Sequence, residues 1–220
     1  MGKKAEYWEE RYASGGISGQ GSIGASREWK WKVVNSYFPK INHVIDVGCG
    51  DLTFWEGRDC EDYTGIDISE TIIKDNIKKK PEWNFIISNA ETYLEGVNSE
   101  YVFCFDTLFH IMDDDIFTAI LENICRYSTK YIIIHTWIRN PLSIRKQIKK
   151  VLLYMARGRI KQGLTTLTRS ISTPYTDGRY QYFRPLEQFI GIFKEYGFTL
   201  VEIRENPIDK IGAIYLFKNS

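Results

Sequence analysis

Val44-Ile-Asp-Val-Gly-Cys-Gly50, followed by Thr64-Gly-Ile-Asp-Ile-Ser69, is the stretch whose reading decides the fold of this 220-residue chain. The first run is a short apolar segment ending in Gly-x-Gly. The second closes on an acid, Asp67, 17 positions beyond Gly50. Glycines at the carboxyl end of a buried strand let backbone come close to a ligand, and a carboxylate at the end of the next strand can take two ribose hydroxyls. The full dinucleotide fingerprint asks for a third glycine where helix and strand pack; Thr53 stands there, which weighs against a bound pyrophosphate.

Outward from this centre, apolar runs and helical patterns alternate. His43–Val47, Tyr63–Asp67, Phe85–Ile87, Tyr101–Phe105 and Tyr131–His135 read as strands. Ser69 reads as the N-cap of a helix to about Lys79, and a second helix runs from about Asp114 to Tyr127 with acidic residues at its positive dipole end. Parallel strands need crossover connections, and near-continuous apolar strands imply burial on both faces. Pro185 to Tyr196 has a helical apolar pattern, and 198–203 and 211–217 read as a final strand pair. The fold class expected is α/β: a seven-stranded Rossmann-like sheet with helices on both faces and a basic helical insert after strand five. The expected organisation is an N-terminal glycine-rich lid and helix (1–40), a cofactor-binding core (41–138), a basic cap (139–180) and a C-terminal helix and strand pair (181–220).

Composition narrows the classes further. The chain is 43% hydrophobic and 26% charged, ordinary for a globular protein and too apolar for disorder. Its aromatic fraction, 15%, favours a large core and a stacking-lined pocket. No run of about 18 apolar residues suggests a spanning helix, and the N-terminus lacks the apolar core of a signal peptide. Four cysteines without CxxC spacing or paired histidines argue against a metal site or a disulfide framework and for a reducing cytoplasm. Residues 14–24 hold five glycines, so they read as a loop, and 26–38 as a helix stopped by Pro39.

The net charge of +1 hides an asymmetry. Between 139 and 176 lie nine basic residues and no acidic one, which leaves 20 basic against 28 acidic elsewhere. An acidic body carries a basic insert.

The Gly-x-Gly strand, Asp67, Ser88-Asn-Ala90 and Phe105-Asp-Thr-Leu-Phe-His-Ile111 together resemble class I S-adenosylmethionine-dependent methyltransferases over most of the chain outside the insert. The resemblance implies adenosylmethionine as cofactor and adenosylhomocysteine as product. It implies that Asp46, Gly48, Cys49 and Gly50 hold the methionine part, that Asp67 holds the ribose, and that Ile68 lies beside adenine. Asn89 and Ala90 fall where the family has Asp-Ala at the adenine edge, Asn89 being a departure. Asp106 and Thr107 belong to the motif bordering methionine and acceptor. Tyr7-Trp8, Arg11-Tyr12, Ser14-Gly-Gly16 and Ser18-Gly-Gln-Gly-Ser22 resemble small methyltransferases of glycan and surface-polysaccharide biosynthesis, which implies a sugar-like acceptor and a loop folding over the cofactor.

An alcohol acceptor must lose a proton, and histidine is the natural base near neutrality. Of three histidines, His43 begins the first strand, at the far end of the sheet. His110, just after strand four, is the first candidate base and His135, at the end of strand five, the second. Tyr175, Tyr180 and Tyr182 are expected to line the acceptor side. Residues 141–157 read as an amphipathic basic helix, in which Arg145 is a candidate for binding phosphate on a small, anionic or sugar-like acceptor. A membrane surface or RNA are alternative partners, RNA being disfavoured by the near-neutral pI of 7.6. The competing functional classes are an NAD-linked oxidoreductase and a non-catalytic adenosylmethionine-binding domain.

Overall fold

Every strand read from the sequence forms. A computed structural model describes residues 3–141, 152–153, 156–158 and 181–220. Its strands are β1 (His43–Val47), β2 (Asp62–Asp67), β3 (Asn84–Ile87), β4 (Ser99–Phe105), β5 (Ser128–Trp137), β6 (Phe198–Glu205) and β7 (Gly212–Asn219). They build one seven-stranded sheet in the order β3-β2-β1-β4-β5-β7-β6. The first five pair in parallel, and β7 runs antiparallel between β5 and β6. Strand order reverses between β1 and β4, and in an open α/β sheet the crevice outside the carboxyl ends at that point is where ligands bind.

The apolar runs lack alternation because both faces of the sheet are covered. Val102, Cys104, Ile132 and Ile134 face one core with α4 (Asp114–Tyr127) and α5 (Leu186–Glu195). Phe103 and Ile133, between them in sequence, face a second core with α2 (Gly24–Tyr37) and α3 (Glu70–Lys79). Ser69 caps α3 by accepting from the Ile72 N–H, and Asp113 caps α4 by accepting from the N–H groups of Asp115 and Ile116.

Three local features differ from expectation. An N-terminal helix, α1 (Lys3–Ala13), was not legible in the sequence. The glycine-rich stretch contains a short 3-10 turn, Gln20–Ser22, and α2 starts at Gly24 rather than at Ser26. β5 runs on to Trp137 because β7 continues to pair with it, Trp137 opposite Gly212. Most of the expected basic helix, with Arg145, lies outside the described residues, as do Tyr175 and Tyr180.

Candidate active site

A cavity of about 800 Å³ opens at the carboxyl ends of β1 to β4. That size falls in the roughly 300–1,000 Å³ range of small-molecule sites. Its floor is the turn after β1. Gly48 and Gly50 both have positive φ, +80° and +54°, where a side chain would be strained. A Cβ on Gly48 would also run into Thr107, and one on Gly50 into Ser18. The turn is therefore bare backbone because the neighbouring walls come up against it. The N–H groups of Gly48 and Cys49 donate to the Ile66 carbonyl at 2.8 and 3.1 Å, tying the turn to β2.

Asp67 closes β2 beside this turn. One carboxylate oxygen accepts from the Gly50 N–H at 2.9 Å and the other from the Ser69 N–H at 3.0 Å. Burial raises its pKa, and those backbone donors only partly oppose the rise. Each oxygen keeps a further lone pair for a ligand hydroxyl. Ile68, Asn89 and Ala90 continue the same wall. The Asn123 side chain donates to the Ala90 carbonyl at 2.9 Å, so α4 fixes this loop.

Asp46 also lines the cavity, but its Oδ2 accepts from Trp55 Nε1 at 2.8 Å and from the Tyr63 hydroxyl at 3.1 Å. Desolvation outweighs both bonds and pushes its carboxyl up to about 6.

The opposite wall follows β4. Asp106 sits at φ +58°, a left-handed conformation that a non-glycine residue holds only when its surroundings impose it. Here they do: its carboxylate lies between buried Lys30 of α2 and His135 of β5, with His135 Nδ1 2.6 Å from Oδ1. Burial alone would raise the Asp106 carboxyl, yet His135 and Lys30 together hold it well below the usual carboxylate range. Lys30 also donates to the Gly21 carbonyl at 2.9 Å, and a Cβ on Gly21 would collide with Asp106. The glycine-rich segment is thereby fastened to the β4 wall.

The N-terminal segment supplies the remaining side. Ser18 and Asp51 bond reciprocally: the Ser18 N–H donates to Asp51 Oδ2 at 2.8 Å, and the Asp51 N–H to Ser18 Oγ at 3.3 Å. Glu9 of α1 accepts from the hydroxyls of Ser69 and Thr71 at the start of α3. This fixes α1 so that Trp8 and Tyr12 line the cavity, with Trp8 edge-on to the His110 ring at 5.2 Å.

The structure thus brings ten of the expected side chains and backbone positions to one cavity: Asp46, Gly48, Cys49, Gly50, Asp67, Ile68, Asn89, Ala90, Asp106 and Thr107, joined by His110. His135 does not line it; it lies behind Asp106, and its Nε2 is buried without a hydrogen-bond partner. Tyr182 does not line it either: its N–H donates to the Phe109 carbonyl at 2.6 Å. Trp8, Tyr12, Ser18 and Lys30 were missed as site residues. Trp8, Tyr12 and Ser18 carried a signal only through the motifs Tyr7-Trp8, Arg11-Tyr12 and Ser18–Ser22, and Lys30 carried none, since a lysine within a helix reads as solvated. Among the described residues, no group of His, Cys, Asp or Glu is placed to hold a metal ion.

Sheet order, reversed last strand and cavity position together define the Rossmann-like fold of class I S-adenosylmethionine-dependent methyltransferases. Magnesium protoporphyrin IX methyltransferase (ChlM) from Synechocystis PCC 6803 with bound SAH superposes with a TM-score of 0.64 at 16% identity, over 99% of this chain and 98% of that one. The N-methyltransferase NodS from Bradyrhizobium japonicum WM9, in complex with S-adenosyl-l-homocysteine, gives 0.59 at 13% identity over 88% and 87%. An O-methyltransferase family protein from Burkholderia thailandensis gives 0.58 at 13% identity over 89% and 57%. No protein-family model matches the sequence, and no curated protein does.

Proposed function

We propose that the protein is an enzyme that binds S-adenosylmethionine in this cavity and transfers its methyl group to oxygen on a small acceptor, sugar-like or anionic, in glycan or surface-polysaccharide biosynthesis. One observation carries the reading: the bare turn Gly48–Gly50, the Asp67 carboxylate and the loop Ser88–Ala90 converge on one hollow with His110 at its rim. The donor set suits a nucleoside. Asp67 offers paired acceptors to vicinal hydroxyls, Ile68 an apolar flank to a base, and the Asn89 amide both a donor and an acceptor to its edge. Gly48 and Gly50 let the chain approach the amino-acid end, beside Asp46, Cys49, Asp106 and Thr107.

When bound, the cofactor supplies a methyl group on a positively charged sulfonium, already activated for displacement. The chain's own work is alignment and water exclusion. Trp8, Tyr12 and the Ser18–Ser22 segment cover the cavity, and His110 accepts the proton of the acceptor hydroxyl. His135 holds Asp106 from behind.

Five carboxylates line the cavity, Asp46, Asp67, Glu91, Asp106 and Asp113, and among the described lining residues there is no lysine or arginine. They favour a cationic cofactor. A phosphate on the acceptor would then draw its counter-charge from the nine basic residues of 139–176, Arg145 among them. No described helix is long and apolar enough to cross a membrane, and the proposed acceptor is a small molecule rather than a lipid surface or RNA.

Calorimetry with S-adenosylmethionine, S-adenosylhomocysteine and NAD tests the cofactor. The first two are expected to bind and NAD is not; absence of binding by both sulfur compounds removes the proposal. Incubation with labelled S-adenosylmethionine and a panel of nucleotide sugars and sugar phosphates tests the acceptor, with label in an alkali-stable ether as the expected product.

A further inference from the structure

We infer that Arg184 is a positioning residue for His110, riveting the chain that returns from the basic insert to the loop that carries the base; the functional part of this rests on the reading of His110 above. Within residues 107–113 the 3-10 turn Leu108–His110 engages the carbonyls of Thr107 and Leu108, and α4 that of Asp113, so those of Phe109 and Ile111 take partners from elsewhere. The returning segment supplies them. The Tyr182 N–H donates to the Phe109 carbonyl at 2.6 Å. Arg184 Nη2 donates to the carbonyls of Ile111 at 3.3 Å and Asp113 at 3.1 Å, and Nη1 to Asp114 Oδ1 at 2.5 Å. Alternate residues around His110, namely Phe109, Ile111 and Asp113, are therefore held by the returning segment.

The guanidinium is itself immobilised. Arg184 is 4% exposed, and its guanidinium carbon lies 4.2 Å from the Phe117 ring centroid and 4.7 Å from that of Tyr182. A planar fork reaches two carbonyls and a carboxylate at once; an ammonium on a flexible stem does not. Below the loop, Phe109 stacks on Trp137 at 5.0 Å and 7°, which fixes it to the end of β5. The insert leaves from that strand end and comes back through Tyr182 and Arg184. The two ends of the insert and the loop that places His110 are in this way held together.

The His110 ring packs edge-on to Trp8 and lies 4.6 Å from Phe109, so its proton resonances carry ring-current shifts that report its position. With three histidines in the chain, His43 and His135 serve as internal references. In Arg184→Lys, which keeps the charge and loses the fork, the His110 resonances should move toward ordinary values and the amides of 109–114 should exchange about tenfold faster or more, while the His43 and His135 resonances stay in place. Arg184→Met should do the same to a larger extent. A folded Arg184→Lys with unchanged His110 resonances and unchanged exchange overturns the inference, as does an equal displacement of all three histidines, which marks general loosening. Titration of the wild-type chain with S-adenosylmethionine decides the methyl-transfer reading separately, so the two claims fail on different measurements.

Discussion

Asp46, on β1, and Asp106, just past the end of the neighbouring β4, look into the same cavity, and their surroundings push them in opposite directions. Asp46 has only neutral donors, Trp55 and Tyr63, and burial lifts its carboxyl to about 6. Asp106 has Lys30 and His135, and is held far below its ordinary value despite its burial. Asp67 is raised as well: its backbone N–H donors moderate the rise without reversing it. Asp46 and Asp67 are buried and the Asp106 side chain is 20% exposed, but desolvation raises all three, so the identity of the partner decides the sign. The Asp106 carboxylate is held ionised from behind by Lys30, while Asp46 and Asp67 on the floor carry their charge at a cost.

Breaking the charged wall should have the largest effect. Lys30→Met leaves Asp106 buried beside His135 alone, and loss of one partner of a buried pair costs about 3–5 kcal/mol. The midpoint of urea unfolding should fall accordingly. Lys30→Met combined with Asp106→Asn should recover much of the loss, since no orphaned charge remains.

The Asp46 arm is read by pH. A folded carboxyl at about 6 against an ordinary 3.8 means that the folded state binds more protons between those values. Stability should therefore decline as pH rises from about 4 to about 6, by about 3 kcal/mol in total. Asp46→Asn should remove that decline, as seen in the difference between the two unfolding curves. Asp106 has the opposite sign: its contribution is present above the ordinary carboxylate value and is lost only as pH falls below it.

Asp67→Ala should weaken S-adenosylmethionine binding by about 1.5–3 kcal/mol, the worth of hydrogen bonds to a charged group, as read by calorimetry. Unchanged affinity would take Asp67 out of the site. The smallest effect is expected from Trp55→Phe. It deletes one donor to Asp46, should cost about 0.5–1.5 kcal/mol in urea unfolding, and should push the Asp46 transition higher.

How far the sequence could be read depended on whether a residue's role was local. The strand ends at Val47 and Asp67, the Ser69 cap and the acidic start of α4 were legible because periodicity and capping are set within a few residues. Gly48 and Gly50 were legible for the same reason, being confined to the turn they make. Lys30 gave no sign of its role, since nothing near it in sequence tells that α2 will present it to a carboxylate 76 positions away. Arg184, 70 positions or more from the groups it holds, was equally silent. His135, expected at the end of its strand, lies two residues inside β5, and sheet register turned it behind Asp106, outside the cavity lining.

By itself, then, the order of residues determined a run of buried parallel strands with a final strand pair, and the glycine turn and acid that floor the crevice, because those features depend on local backbone freedom and side-chain period; the reversed direction of β7 came with the tertiary pairing. The tertiary structure alone decided which charges meet. Lys30, Asp106 and His135 come from three separate elements, and Arg184 from a fourth. Only packing those elements together removes the water that would otherwise make such contacts weak.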